Sequence, residues 1–325
     1  MKRDVLVASF SFEQEPDGFQ ILRDAGFRPV VFPKEAAGSR TEEDFLCYWN
    51  SLEQKPEGIL MGADFPLGEK FLRYSQGLKA ISLNCAGSDH LALDAFQKYG
   101  ILVANVPRQN FQAVADFIWG QILGLMRKIA LGDQKIRQGF WCEGVARGMA
   151  VSGKKLGIIG FGAVGQAVAK RSMGFDMELL VYSTSKKPEL AEKYGAKYVD
   201  KETLLRESDI LVPACPLTEK TRYFFDEDAF RKMKSCAVLV NAARGGIVHT
   251  ESLVKALQEK RLAGAALDVY EEEPLLKSPL FDMEQVLLTP HMGGLADREI
   301  RKVALMAARN MISLLNGEKT GTELW

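Results

Sequence analysis

Lys155-Leu-Gly-Ile-Ile-Gly160-Phe-Gly162-Ala163-Val164-Gly165-Gln-Ala-Val-Ala-Lys170 decides the fold of this 325-residue chain. An apolar run ends in three glycines spaced GxGxxG, and an Ala- and Val-rich helical pattern follows. That order joins a buried strand to a helix through a phosphate-binding turn. Gly160 permits the tight turn, Gly162 lets backbone approach a pyrophosphate, and Gly165 lets the helix pack closely on the strand. With Ala163 and Val164 opening it, the helix then turns its N-terminal N–H groups toward the phosphate charge.

Outward from this turn, the same strand and helix alternation continues in both directions. Upstream, Asp4–Phe10, Arg28–Phe32, Gly58–Met61, Leu78–Leu83 and Ile101–Ala104 read as short buried strands between helical patterns. Downstream, Glu178–Tyr182, Asp209–Val212, Ala237–Asn241, Gly264–Tyr270 and Gln285–Thr289 repeat the theme. Such alternation builds parallel sheets, so the chain is α/β, with two doubly wound parallel-sheet domains. One long helical pattern, from about Gln112 to Gln138, carries a broad apolar surface through Ala113, Val114, Phe117, Ile118, Ile122, Leu125 and Ile129. A final helix is expected from about Asp297 to Leu315.

Bulk properties narrow the function. Forty-two basic residues balance forty-two acidic ones, which leaves no overall field to attract nucleic acid or an anionic membrane surface. No apolar run is long enough to span a bilayer and the N-terminal one is too short for a secretion signal, so a cytoplasmic protein is expected. Five scattered cysteines, Cys47, Cys85, Cys142, Cys215 and Cys236, show neither a disulfide framework nor zinc-site spacing. They are expected to be small, mostly buried apolar residues and no metal is expected, with Cys85 and Cys215 at strand ends where a reactive thiol could sit.

A dinucleotide unit usually places an Asp or Glu at the end of the next strand, where it accepts the adenosine ribose hydroxyls. Here that strand end reads Val181-Tyr182-Ser183-Thr184-Ser185-Lys186-Lys187, without an acid. Hydroxyls on Ser183 or Ser185 can donate to a 2′-phosphate and Lys186 or Lys187 can neutralise it. The corner therefore favours NADP over NAD, although a solvated loop serving either cofactor fits the same residues.

Three histidines are present, and two of them read as surface or helix-capping residues, His90 after Ala86-Gly87-Ser88-Asp89 and His249 in Val248-His-Thr. His291 differs, because it leaves the strand Val286-Leu-Leu-Thr289 at the carboxyl edge of a parallel sheet, where ligands bind. Two more loops leave that edge, Ala242-Ala-Arg244-Gly-Gly246 and Glu271-Glu-Glu273-Pro274. Reduction of a 2-oxo acid needs a proton donor for the developing alkoxide and a cation to hold the carboxylate. His291 can give the proton, Arg244 can bind the carboxylate and carbonyl oxygen, and Glu273 can hydrogen-bond the imidazole and raise its pKa. Each of the three taken singly also has an ordinary structural role available to it.

Together, Leu156–Gly165, Pro216-Leu-Thr218, Val240–Gly246, Leu267–Pro274 and Thr289–Gly294 resemble the D-isomer-specific 2-hydroxyacid dehydrogenase family in order and spacing, over nearly the whole chain. The resemblance implies a Rossmann cofactor domain over 105–295, inserted in a flavodoxin-like substrate domain formed by 1–104 and 296–325. It implies Arg244, Glu273 and His291 as catalytic residues and Asp268 as the acid beside the nicotinamide. Cys215, Pro216, Ala242 and Gly293 would border the cofactor, and Ala86, Gly87 and Ser88 would bind the substrate carboxylate. The long helix would form a homodimer interface, and the substrate would be a small 2-oxo or 2-hydroxy acid such as glyoxylate or hydroxypyruvate.

Departures from the family pattern carry information as well. Ala214 stands where many relatives carry His, and the missing ribose acid unsettles NAD specificity. Glu273 separates the chain from the formate dehydrogenase branch, whose catalytic His is partnered by Gln. Two other readings stay open at this point, a phosphonate-oxidising member of the family and an NAD(H)-sensing corepressor-like scaffold.

Overall fold

The computed structural model describes residues 3–33, 41–63, 65–141 and 147–325, which excludes Cys142. Its contacts divide the chain into two compact units, Met1–Asn110 with Leu295–Trp325, and Phe111–Gly294.

In the first unit, β1 (Arg3–Ala8), β2 (Phe27–Val31), β3 (Gly58–Met61), β4 (Ala80–Leu83) and β5 (Leu102–Ala104) pair in parallel in the order β2-β1-β3-β4-β5. That is the flavodoxin-like order. β3 and β4 are buried along their whole length, as strands covered on both faces must be. The chain returns to this unit through the helix Asp297–Asn316, whose Ala304, Ala307, Ala308 and Met311 pack with Val5, Val7, Leu60 and Ala80 of the sheet. Small side chains allow that close approach, and Ser82 Oγ donates to the Ala307 carbonyl at 2.8 Å.

The second unit holds seven parallel strands, β6 (Lys155–Ile159), β7 (Glu178–Tyr182), β8 (Ala196–Tyr198), β9 (Ile210–Pro213), β10 (Val238–Asn241), β11 (Gly264–Leu267) and β12 (Val286–Leu288). Their order is β12-β11-β10-β9-β6-β7-β8, with the reversal at β6 where the glycine turn sits. Two doubly wound parallel sheets are therefore present, the second being the Rossmann arrangement.

Several boundaries differ from the sequence expectation. The segment 105–110 belongs with the first unit, because Val106 is buried in its core and donates its N–H to the Cys85 carbonyl at 2.9 Å. β11 stops at Leu267, so Asp268 to Tyr270 form a loop and not a strand end. The long helix is two helices, Phe111–Met126 and Ile129–Arg137, broken where Lys128 takes a left-handed conformation at φ 57°. At the break the Met126 carbonyl accepts the Met149 N–H at 2.7 Å, so a later segment completes the helix end. The cysteines also depart from expectation: Cys47 and Cys236 are exposed, and Cys85 and Cys215 are half-buried.

Candidate active site

The glycine turn has the shape its spacing requires. Gly160 adopts φ +90°, its N–H donates to the Tyr182 carbonyl at 2.8 Å, and a Cβ there would lie 2.7 Å from the Ala214 carbonyl oxygen. A Cβ on Gly165 would collide with the Gly160 carbonyl oxygen, which keeps the Ala163–Ser172 helix tight against the turn. Gly162 faces open space and starts that helix without a side-chain cap, so the N–H groups of the first turn, at Ala163 and Val164, are left for a ligand. An anionic pyrophosphate fits this cradle.

At the end of β7, Ser183 Oγ donates to the Ser185 carbonyl at 3.1 Å, and Thr184, Ser185, Lys186 and Lys187 are exposed. Among the described residues neither lysine has an ion-pair partner. Glu178 lies at the opposite end of the strand and is taken up by Lys155 and Lys197. Across the turn, burial pushes the Cys215 thiol up to about 11, which leaves it protonated and unreactive at neutral pH. Pro216 follows it on the surface, and Ala242 is half-buried at the end of β10.

The loops after β10, β11 and β12 carry Arg244, Glu273 and His291. Asn241, fully buried at the end of β10, donates from Nδ2 to the Arg244 carbonyl at 2.9 Å and accepts the Ala243 N–H at 3.0 Å. These bonds shape the turn that presents Arg244, whose guanidinium donates to the Ala243 carbonyl at 2.7 Å. After β11, the buried Asp268 carboxylate accepts from Thr289 Oγ1 at 2.6 Å, the Met292 N–H at 2.9 Å and the Gly293 N–H at 2.8 Å. Its carbonyl takes the His291 N–H at 2.9 Å. The Tyr270 hydroxyl bonds the Leu267 and Thr289 carbonyls at 3.0 and 2.8 Å, and burial pushes its pKa up to about 12. It therefore clamps the ends of β11 and β12 as a neutral donor.

Glu273 accepts the Tyr270 N–H at 2.9 Å through Oε1 and meets His291 Nδ1 at 2.6 Å through Oε2. With Nδ1 engaged, Nε2 is the nitrogen left to exchange a proton. Burial pulls the His291 pKa down, but the hydrogen bond and charge of Glu273, helped by Asp268, outweigh it against the opposing charge of Arg244. The net shift is upward from the ordinary histidine value. Arg244, Glu273 and His291 are thus brought together around one imidazole.

In the first unit, Ala86-Gly87-Ser88 forms the turn after β4, held by Asn105 Nδ2 on the Ala86 carbonyl at 2.7 Å and Cys85 Sγ on the Gly87 carbonyl at 3.2 Å. Among the described residues the N–H groups of Ala86, Gly87 and Ser88 meet no acceptor, as an anion nest requires. His249 starts the helix Thr250–Gln258, with Nδ1 2.7 Å from Ser252 Oγ. Asn241, Tyr270, Thr289 and Gln121 escaped the sequence reading as supports of the site. The only amide on the buried face of an otherwise apolar helix was the one available signal for Gln121. Among the described residues no group of His, Cys, Asp and Glu could hold a metal ion, and no helix is long and apolar enough to cross a membrane.

Fold and site together define a nicotinamide-dependent dehydrogenase. Residues 119–293 match the family described as D-isomer specific 2-hydroxyacid dehydrogenase, NAD binding domain. The chain is 43% identical to a glyoxylate reductase of Thermococcus kodakarensis over 248 residues, 74% of each chain. It is 39% identical to a glyoxylate reductase of Thermococcus litoralis over 288 residues, 83% of this chain and 87% of the other. Among solved structures, the apo form of D-lactate dehydrogenase from Escherichia coli superposes with a TM-score of 0.84 at 28% identity, covering 99% of this chain and 100% of that one. The chain belongs to the D-isomer-specific 2-hydroxyacid dehydrogenase family. It is an NAD(P)-dependent oxidoreductase that interconverts 2-oxo acids and D-2-hydroxy acids.

Proposed function

We propose that this enzyme reduces a small 2-oxo acid of the glyoxylate or hydroxypyruvate type, with His291 as proton donor, Arg244 as carboxylate and carbonyl anchor, and Glu273 as the partner of His291. The 2.6 Å contact between His291 Nδ1 and Glu273 Oε2, beside Arg244 on the rim of a Rossmann sheet, carries the reading. The two named glyoxylate reductases support the size of the substrate.

The nicotinamide, when bound, supplies or accepts the hydride. Gly160, Gly162, Ala163, Val164 and Gly165 would hold its pyrophosphate, with Cys215, Pro216, Ala242, Asp268 and Gly293 bordering it. Ser183, Thr184, Ser185 and Lys186 would receive a 2′-phosphate, which favours NADPH over NADH. On the substrate side, the permanently charged Arg244 guanidinium pairs with the carboxylate and polarises the carbonyl oxygen. Within the first unit, the open N–H groups of Ala86, Gly87 and Ser88 are suited to a substrate carboxylate. As the carbonyl oxygen becomes an alkoxide, His291 gives it the Nε2 proton, and Glu273 stabilises the imidazolium that precedes this step. In the oxidation direction the neutral imidazole takes the proton back.

In this reading, the unit Met1–Asn110 with Leu295–Trp325 binds substrate and the unit Phe111–Gly294 binds cofactor. A cytoplasmic homodimer completes it. Ile129, Ile136, Phe140 and Trp141 are exposed along and after the Ile129–Arg137 helix, which buries none of its own residues. A cavity of 340 Å³ lies beside it, where Leu131 and Leu287 alternate with Lys128, Lys135, Asp282 and Glu284; the exposed apolar side chains suit burial against a second copy, with these charges around them. A spectrophotometric screen of glyoxylate, hydroxypyruvate, pyruvate and larger 2-oxo acids with NADPH and NADH tests the assignment. Highest kcat/KM on one of the first two supports it, and trace turnover on every acid with tight cofactor binding overturns it in favour of a scaffold.

A further inference from the structure

Gln121 sits in the Phe111–Met126 helix, 3% exposed, among Ala115, Ile118, Ile122 and Leu125. Its Nε2 lies 3.1 Å from Thr289 Oγ1, while its Oε1 is buried without a hydrogen-bond partner. A buried amide with an unpaired oxygen costs stability that an apolar side chain of the same size would not. Packing alone therefore does not account for this residue.

The hydrogen bonds around Thr289 show what the amide does. The hydroxyl has one proton, and the Asp268 carboxylate 2.6 Å away can only accept it, whereas the Leu267 carbonyl lies at 3.4 Å. Thr289 Oγ1 is then left to accept from Gln121, which fixes the amide orientation with Nε2 toward it. A directed chain results, from amide to hydroxyl to carboxylate, in which each bond polarises the next. At its far end Asp268 receives the N–H groups of Met292 and Gly293 on its carboxylate and that of His291 on its carbonyl.

His291 needs such support, because it adopts φ +49°, a region that side chains other than glycine rarely occupy. The same helix meets this loop a second time, since a Cβ on Gly293 would lie 3.4 Å from the Phe117 ring. We propose that Gln121 is a positioning residue, which through Thr289 orients the Asp268 carboxylate and so holds the loop that aims the His291 imidazole. Buried at 3% exposure, it acts through other side chains. The proposal rests on His291 being the proton donor.

Gln121→Met keeps the volume and removes both the donated bond and the unpaired oxygen, which separates positioning from folding. The expected result is a Tm equal to or above that of the wild type, KM for the 2-oxo acid within about twofold, and kcat lower by about tenfold, the scale of one lost hydrogen bond. Thr289→Val should give a similar loss and Thr289→Ser should restore turnover. In the double variant Gln121→Met/Thr289→Val, turnover should be no slower than in Thr289→Val alone, because one chain is cut twice. Wild-type kcat in Gln121→Met, additive losses in the double variant, or a kcat loss matched by a falling Tm would overturn the proposal. If Gln121→Met does not fold, Gln121→Leu, of similar size and equally unable to donate to Thr289, carries the same comparison of kcat against Tm. His291→Ala, measured alongside, separates the two readings: retained turnover there removes the proton donor itself, whatever Gln121 does.

Discussion

His291 Nδ1 and Glu273 Oε2 lie 2.6 Å apart, and this contact favours the protonated imidazole against the opposing effect of burial. Because the pKa of His291 is raised, the imidazolium persists to higher pH than in a free histidine. Its contribution to stability is complete below the ordinary value of about 6.5 and is lost as pH rises through the raised one. Both side chains are partly open to solvent, 41% and 30%, so the stability effect is small and the kinetic one is the better readout.

Glu273→Gln keeps an acceptor for Nδ1 but removes the charge. The kcat/KM for 2-oxo acid reduction, which needs the protonated imidazole, should then fall off at lower pH than in the wild type. Oxidation of the 2-hydroxy acid needs the neutral form, so its rising limb should move the same way. Paired pH profiles in the two directions check this, and unchanged limbs would detach Glu273 from the titration.

His291→Ala should lower turnover by at least about two orders of magnitude, as loss of a general acid does. Cofactor affinity, measured by fluorescence titration, should stay within a few-fold of the wild type, because the glycine cradle lies on β6 and its helix. Retained turnover would transfer the proton-donor role to another group.

Gly162→Ala and Gly165→Ala should part company although they are three residues apart. A methyl on Gly162 meets no atom within 4 Å, so that variant should fold with an unchanged Tm and yet bind the cofactor more weakly. A methyl on Gly165 overlaps the Gly160 carbonyl oxygen and should destabilise the unit by about 1–3 kcal/mol, the usual range for overpacking. Thermal melts with and without cofactor distinguish the two, and equal Tm losses would contradict an open ligand side at Gly162.

What the sequence made legible follows from the range of the interactions involved. The glycine turn, the strand cores and the Arg244 loop are local, since a few consecutive residues specify each. The amide of Gln121 and the hydroxyl of Thr289 are 168 residues apart, and no periodicity reports that they meet. Lys128 breaks the long helix in a left-handed conformation without glycine or proline to announce it, and the apolar stripe runs straight through the break. β8 has three residues, Ala196-Lys-Tyr198, too few to stand out from a loop. Asp268 was expected within a strand and lies just past the end of β11, where its carboxylate gathers the loop that carries His291.

Ile136→Asp should convert a dimer to a monomer if the exposed side chains of the Ile129–Arg137 helix are an interface, because an unpaired charge is costly to bury there. In the monomer Ile136 is already in contact with water, so the fold of each chain should be unaffected. Sedimentation velocity at micromolar concentration reads the outcome. A wild-type chain that sediments as a monomer would remove the interface from the proposal.

The coenzyme corner permits the sharpest discrimination. Lys186 and Lys187 are exposed at the end of β7 without ion-pair partners among the described residues, beside the hydroxyls of Ser183 and Ser185. A 2′-phosphate would meet only donors and positive charge there, whereas ribose hydroxyls would find no carboxylate to accept from them. Ser183→Asp supplies that acceptor and repels the phosphate. It should lower kcat/KM for NADPH by more than about tenfold, the scale expected when a charge-assisted contact becomes like-charge repulsion. The value for NADH should hold or rise. Side-by-side titration of the two coenzymes in wild type and variant measures the shift, and a wild-type preference for NADH of more than about tenfold, on the order of 1.4 kcal/mol, would reverse the assignment.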